Sequence, residues 1–214
     1  MSKTILSDDK IGVNASTKRG IDMNTLHHAF WSYFFFRKKQ RKTVKSIVIG
    51  GIAPDIIYYV MFLYLITEYG IQKLLGSEQA FSLHFIVHGL FDHPVVDVLR
   101  KLGHSIVIWL IAFIILMILH KGFKLTPLSG FVWGWFLHVF VDFFTHVSDA
   151  VPIFYPISDK VIPGIVSYWH PDYYGYEFGI SHSIVLVSTI IYLVIERRKS
   201  KKAKKLMKEK KFDM

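Results

Sequence analysis

The sequence predicts an all-α fold: a polytopic transmembrane helical bundle with four to five membrane segments. Three observations predict it. Apolar residues make up 52% of the 214-residue chain, and they gather into runs at 47–66, 104–120, 125–147 and 180–196. About 20 residues at 1.5 Å each cross a bilayer core. Cations sit beside those runs: of 26 Lys and Arg, ten lie in 197–211 and six in 37–45. Short basic stretches, 37–46 and 121–124, join neighbouring runs.

The elements follow in order. Residues 1–20 read as a polar, flexible lead, 21–196 as the transmembrane domain, and 197–214 as a basic tail. Within the domain, 21–36 is a short aromatic helix carrying His27 and His28. It enters as a fifth, short span or dips in as a re-entrant piece. Residues 37–46 form a basic connector. Residues 47–66 and 104–120 are spans, and the intervening 67–103 is mixed, with His84, His88 and His93. The third long span is 125–147. Residues 148–179 form a loop rich in Pro, Gly and Tyr, ahead of the last span at 180–196. Cytoplasmic loops carry the excess of Lys and Arg. That rule places the connector, the Lys121–Lys124 turn and the C-terminus in the cytoplasm of a multi-pass cell-membrane protein. The outer loops then hold only Lys73, Arg100, Lys101 and Lys160 as cations.

The net charge of +10 invites a nucleic-acid reading. Its position argues against one, because basic clusters beside spans act as topology determinants and anionic-lipid contacts. The expected partner is the lipid bilayer, and no nucleic acid. With no Cys, disulfides and thiolate metal sites are excluded. No cleavable signal is expected, since the first apolar run, Leu26–Phe36, is followed by Arg-Lys-Lys. The pentapeptides starting at Gly103 and Ser181 are alike (His-Ser-Ile-Val in each), a local likeness too short to mark a repeat.

Ionisable groups inside spans are costly, about 2.5–3.5 kcal/mol for a central charge, and mark protein interiors or wet cavities. His138 and Asp142 stand i,i+4 on one face of the third long span, continued by Thr145 and His146. Such a pair holds one divalent cation, or hydrogen-bonds to fasten helices. Asp55 follows Pro54, which frees the Gly50 carbonyl and suggests a polar pocket, or a kink with a salt-bridged acid. His28 lies nine residues before Arg37, and Asp55 ten after Lys45. A hairpin sets both about 13–15 Å from the basic end. His27 is about 100° around the helix from His28, so only one of them faces the pocket. His104-Ser105 and His182-Ser183 each open a span as ligands or plain interfacial residues. His84 and His88 form a weaker i,i+4 pair, while His93, His120 and His170 have no evident partner.

Residues 24–158 resemble the YdjM-like family of bacterial membrane-bound metal-dependent hydrolases (the DUF457 group). The likeness rests on His28 ahead of Ala-Phe-Trp-Ser and on the Gly50-to-Asp55 block. It rests also on Arg100-Lys-Leu-Gly-His104-Ser105 and on His138-x3-Asp142-x2-Thr145 followed by Phe154-Tyr155-Pro156. Leu99 and Gly103 stand where the family has His and Thr, so His88 or His93 replaces the missing His in this reading. The Gly-Gly-Ile-Ala-Pro-Asp block also resembles that of zinc-dependent phospholipase C-like proteins.

The resemblance implies a divalent-metal hydrolase, with zinc as the expected ion and His28, Asp55, His104, His138 and Asp142 as its ligands. Asp55 or Asp142 would alternate as general base. Ser105 and Thr145 would orient ligands. Arg100 would pair with the phosphate of a phosphoester or lipid-linked substrate. The rival reading is a non-enzymatic membrane protein whose His/Asp cluster binds metal for structure or transport.

Overall fold

The computed structural model describes residues 24–76, 86, 89–122, 124–168 and 170–212. The polar lead, His84 and His88 lie outside the described residues. Among them the chain is helical. Helix α1 spans Thr25–Phe36, α2 Val44–Ile52, α3 Ile56–Leu74, α4 Pro94–Gly103, α5 Ile106–Leu119, α6 Pro127–Thr145 and α7 Gly175–Phe212. A 3₁₀ turn, Ala53–Asp55, joins α2 to α3.

Three helical stretches among these residues are long and apolar enough to cross a membrane: Val44–Leu74, Pro127–Thr145 and Gly175–Met207. A fourth arises if α4 and α5, bent by 56° at His104-Ser105, count as one broken span. The run at 104–120 therefore does not cross alone; α5 has 14 residues. Helix α1 has 12 residues, about 18 Å of helix, and is also short of a span. No Gly or Pro follows Gly179, and α7 continues unbroken through the Lys-rich sequence.

Several polar side chains are buried beside the apolar core, and many large apolar ones face outward. His138, Ser105 and Ser129 are almost fully enclosed, while Ile118, Leu63 and Ile184 are more than half exposed. Apolar side chains turned outward and polar ones inward suit a lipid surround.

The interior is organised by α2 against α6, which run parallel from the basic end. Gly130, Gly134, His138 and Asp142 follow one another at i,i+4 along α6 and are all buried. The two glycines face α2. A Cβ on Gly134 would strike the Ile47 carbonyl, and one on Gly50 the Phe131 carbonyl. Small residues at such a crossing let backbones touch. The basic flanks gather at one end. Arg37 and Lys38 both pair with Glu196 of α7, and Thr43 packs on Gly130 at the start of α6. The 146–168 loop lies at the other end. It is tied down by Ile106 N–H donating to the Ile153 carbonyl (2.9 Å) and Gly164 N–H donating to that of His146 (2.7 Å).

Candidate metal centre

At the end opposite the basic flanks, three elements converge. The 3₁₀ turn brings Asp55, the α4–α5 bend brings His104, and α6 brings His138 and Asp142. One donor atom from each lies within 4.8 Å of all the others. His138 Nε2 is 2.9 Å from Asp142 Oδ2, 3.3 Å from His104 Nε2 and 3.5 Å from Asp55 Oδ1. His104 Nε2 is 3.2 Å from Asp142 Oδ2 and 3.5 Å from Asp55 Oδ1.

Both imidazoles are fixed from behind. His138 Nδ1 lies 2.7 Å from the Gly51 carbonyl, and His104 Nδ1 lies 2.9 Å from that of Arg100. A carbonyl only accepts, so each Nδ1 carries its proton and donates. In a neutral ring Nε2 is then a lone pair, and both lone pairs face each other and two carboxylate oxygens. This is the arrangement of metal-binding histidines, whose second nitrogen donates to a carbonyl. Pro54 shapes it. The Gly50 carbonyl, expected to be left free, is taken by Ala53 N–H. The carbonyl turned toward the cluster is that of Gly51.

The donor set suits a divalent cation. Atoms bound at about 2.0–2.2 Å to one ion stand about 3.0–3.5 Å apart, and the separations above run from 2.9 to 3.5 Å. Asp142 Oδ1 is buried and makes no hydrogen bond of normal geometry, although His28 Nε2 lies 3.1 Å away. His28 stands outside the four-donor group, on the opposite oxygen of Asp142 from His104 and His138. Its ring stacks on that of His138, with centroids 4.0 Å apart.

No protein-family model, curated protein or solved structure matches this chain.

The cluster opens on a cavity of about 390 Å³ lined by His28, Asp55, His104 and Asp142, with Arg100, His146 and Tyr168 on its walls. Arg100 donates from Nη2 to the Asp149 carbonyl (2.5 Å), and its buried Nε has no hydrogen-bond partner. His146 Nδ1 lies 3.1 Å from the Asp142 carbonyl and its Nε2 3.0 Å from the Tyr168 hydroxyl. Burial pushes the Tyr168 phenol above its ordinary range, and the nearby Asp142 carboxylate acts the same way, so it stays protonated.

Several expected roles fall elsewhere. His27 closes the N-cap of α1, accepting Asn24 N–H at Nδ1 (3.1 Å). His182 accepts the indole N–H of Trp31 (3.1 Å) and stacks on Phe178. His93 accepts Val95 N–H and caps α4. Thr145 donates to the Val141 carbonyl of its own helix (3.1 Å) rather than to a ligand. Ser105 caps α5, accepting from Val107 and Ile108 N–H, and donates to the Tyr155 carbonyl (2.5 Å). Ser105→Ala is therefore expected to cost about 1 kcal/mol of stability, the usual value of a cap, and to leave metal content unchanged. Thermal unfolding and elemental analysis of the purified variant check this. A loss of metal without a loss of stability returns Ser105 to the orienting role.

The sequence reading missed Thr25, whose hydroxyl donates to Asp55 Oδ2 (2.5 Å). A signal was present, since Thr25 stands one turn before His28 on the same helix face. Tyr168, far along an irregular loop, had none.

Proposed function

We propose that this protein is a multi-pass membrane hydrolase dependent on a divalent metal ion, zinc foremost, acting on a phosphoester or lipid-linked substrate. The observation that carries the reading is the pair of imidazoles tied at Nδ1 to backbone carbonyls, with both Nε2 atoms aimed at two carboxylates. Asp55, His104, His138 and Asp142 would hold the ion; the resemblance to the YdjM-like group adds His28 to them. A divalent ion there supplies Lewis acidity and acidifies water.

The chain's own groups divide the remaining work. Asp142 has both oxygens beside imidazoles. Asp55 has only Oδ1 there, with Oδ2 on the Thr25 hydroxyl. Asp55 is thus the carboxylate placed to exchange a weak contact for a proton. The Arg100 guanidinium, fastened through Nη2 on the cavity wall, is the cation placed for an anionic group there. The gathering of Arg37, Lys38 and the start of the Lys-rich tail at one end supports a cytoplasmic C-terminus and a site toward the outer half.

The test is metal content. Protein purified in detergent without chelator is expected to carry stoichiometric metal. Chelation is expected to abolish phosphoester cleavage, and re-addition to restore it. A wild type that holds no metal and gains none on titration sinks the reading. Metal uptake without any ester or phosphoester cleavage replaces hydrolysis with a transport or structural role.

A further inference from the structure

We infer that the centre takes two ions, the second on the edge formed by His28 Nε2 and Asp142 Oδ1. This rests on the metal reading given above and adds a site to it.

The two oxygens of Asp142 face different histidines. Oδ2 lies beside His138 and His104, at 2.9 and 3.2 Å. Oδ1 lies beside His28, at 3.1 Å. His28 is not part of the group whose donors all stand within 4.8 Å of one another, so it is not simply a fifth ligand to the same ion. Nor does it satisfy Oδ1 as a donor, because that buried oxygen makes no hydrogen bond of normal geometry. Its neighbours are His28 Nε2 at 3.1 Å and His146 Nδ1 at 3.8 Å, and a buried carboxylate oxygen without a well-directed donor is costly. A cation on the 3.1 Å edge removes the cost, and the edge has the length that two ligands of one ion span.

The histidine rings set the spacing. Those of His28 and His138 lie nearly parallel, 27° apart in plane, with centroids 4.0 Å apart. Each presents Nε2 to a different oxygen of one carboxylate. Two side-by-side imidazoles at that distance suit ions about 3.5–4 Å apart, the spacing of two-ion hydrolytic centres. Asp142 then bridges the pair.

The two positions differ in donor number. Four protein donors would hold the inner ion. The outer one has His28, one oxygen of Asp142 and the open cavity, so it binds more weakly and keeps positions for a substrate oxygen. Helix α1 exists to place this wall. Too short to span, it is capped at Asn24 and carries Thr25 and His28 one turn apart toward the site.

The test counts ions in the full chain in detergent. Chelator-stripped protein is titrated with Mn²⁺ and followed by elemental analysis and electron paramagnetic resonance. The expected result is two ions per chain, the second at least about tenfold weaker, with a spin-coupled spectrum appearing as it binds. His28→Ala and His28→Gln are expected to stop at one ion, with the tight site changed by less than about tenfold, the mild end of outer-shell effects. Wild type that saturates at one uncoupled ion overturns the inference and leaves the single-ion hydrolase standing. So do His28 variants that still take up two. Wild type that binds no Mn²⁺ and no zinc defeats the metal reading itself, a separate outcome. The wild-type spectrum needs no variant to fold.

Discussion

Asp142→Asn is expected to abolish metal binding and activity while leaving the metal-free protein at least as stable as wild type. Asp142 lies beside more imidazoles than any other group in the cluster, with His104 and His138 on Oδ2 and His28 on Oδ1. Removing its charge takes the one carboxylate that both ion positions share. Even outer-shell changes reduce metal affinity by about 10–100-fold, so a loss of at least about a hundredfold is the lower bound. The stability of the stripped protein separates two physical pictures. If the cluster is an ion pair between a carboxylate and a protonated imidazole, the substitution leaves a buried charge and costs about 3–5 kcal/mol. If Nε2 of His104 and His138 are lone pairs awaiting a cation, an amide N–H at the same place relieves them and costs nothing. Ligand linkage gives a second readout. Metal at about 1,000 times its Kd stabilises wild type by about 4 kcal/mol, and the variant should lose that gain entirely. Melting curves with chelator and with metal, on both proteins, decide between the pictures. Destabilisation in chelator returns the cluster to a structural ion pair.

The ligands were legible in the sequence for a specific reason. Helical geometry links i to i+4, so His138 and Asp142 announce a shared face, and a buried charge needs a cause. Depth counting from the basic connector put His28 and Asp55 level. The structure brings both to the Asp142–His138 pair, His28 through Asp142 and Asp55 through His138. The sequence did not reveal how the ligands divide. Nothing in the spacing of His28 says that it meets the opposite oxygen of Asp142, because this depends on the rotamer of one side chain and the angle between α1 and α6. The membrane segments were legible as composition and less so as length. The run at 104–120 reads as the purest span, but Ser105 caps a new helix and bends the chain. The span is whole only when α4 is joined to it. Charge changes sharply at Arg197, and the backbone has no breaker there, so the helix runs on through the basic tail. Charge patterning marks where a chain leaves lipid, not where a helix ends.

Gly134→Ala is expected to be, with Gly50→Ala, among the most damaging glycine-to-alanine substitutions in the described residues. A Cβ at Gly134 meets the Ile47 carbonyl and comes within 2.9 Å of Gly51 N, both backbone atoms with no rotamer to yield. Overpacking that flexible side chains can absorb costs about 1–3 kcal/mol, and a collision with backbone belongs at or above the top of that range. The site suffers with the fold. Prising α2 from α6 lengthens the 2.7 Å contact between the Gly51 carbonyl and His138 Nδ1. It frees the imidazole to turn and moves Asp55 away with the end of α2. Metal affinity should fall by about 10–100-fold, as when an outer-shell partner is lost, although no ligand has been changed. Gly70→Ala is the control. It adds the same methyl to an interior helical glycine with nothing within 4 Å, and should gain about 0.5–1 kcal/mol from the better helix former. Paired melting and metal titrations of the two variants test the link between packing and site. If Gly134→Ala melts with wild type, α2 and α6 do not touch at the glycines. If it melts early but keeps full metal affinity, the Gly51 carbonyl is not what aims His138. On α6 the i,i+4 stripe runs Gly130, Gly134, His138, Asp142. Its first half fixes how near α2 can come, and that distance decides which atoms its second half can reach.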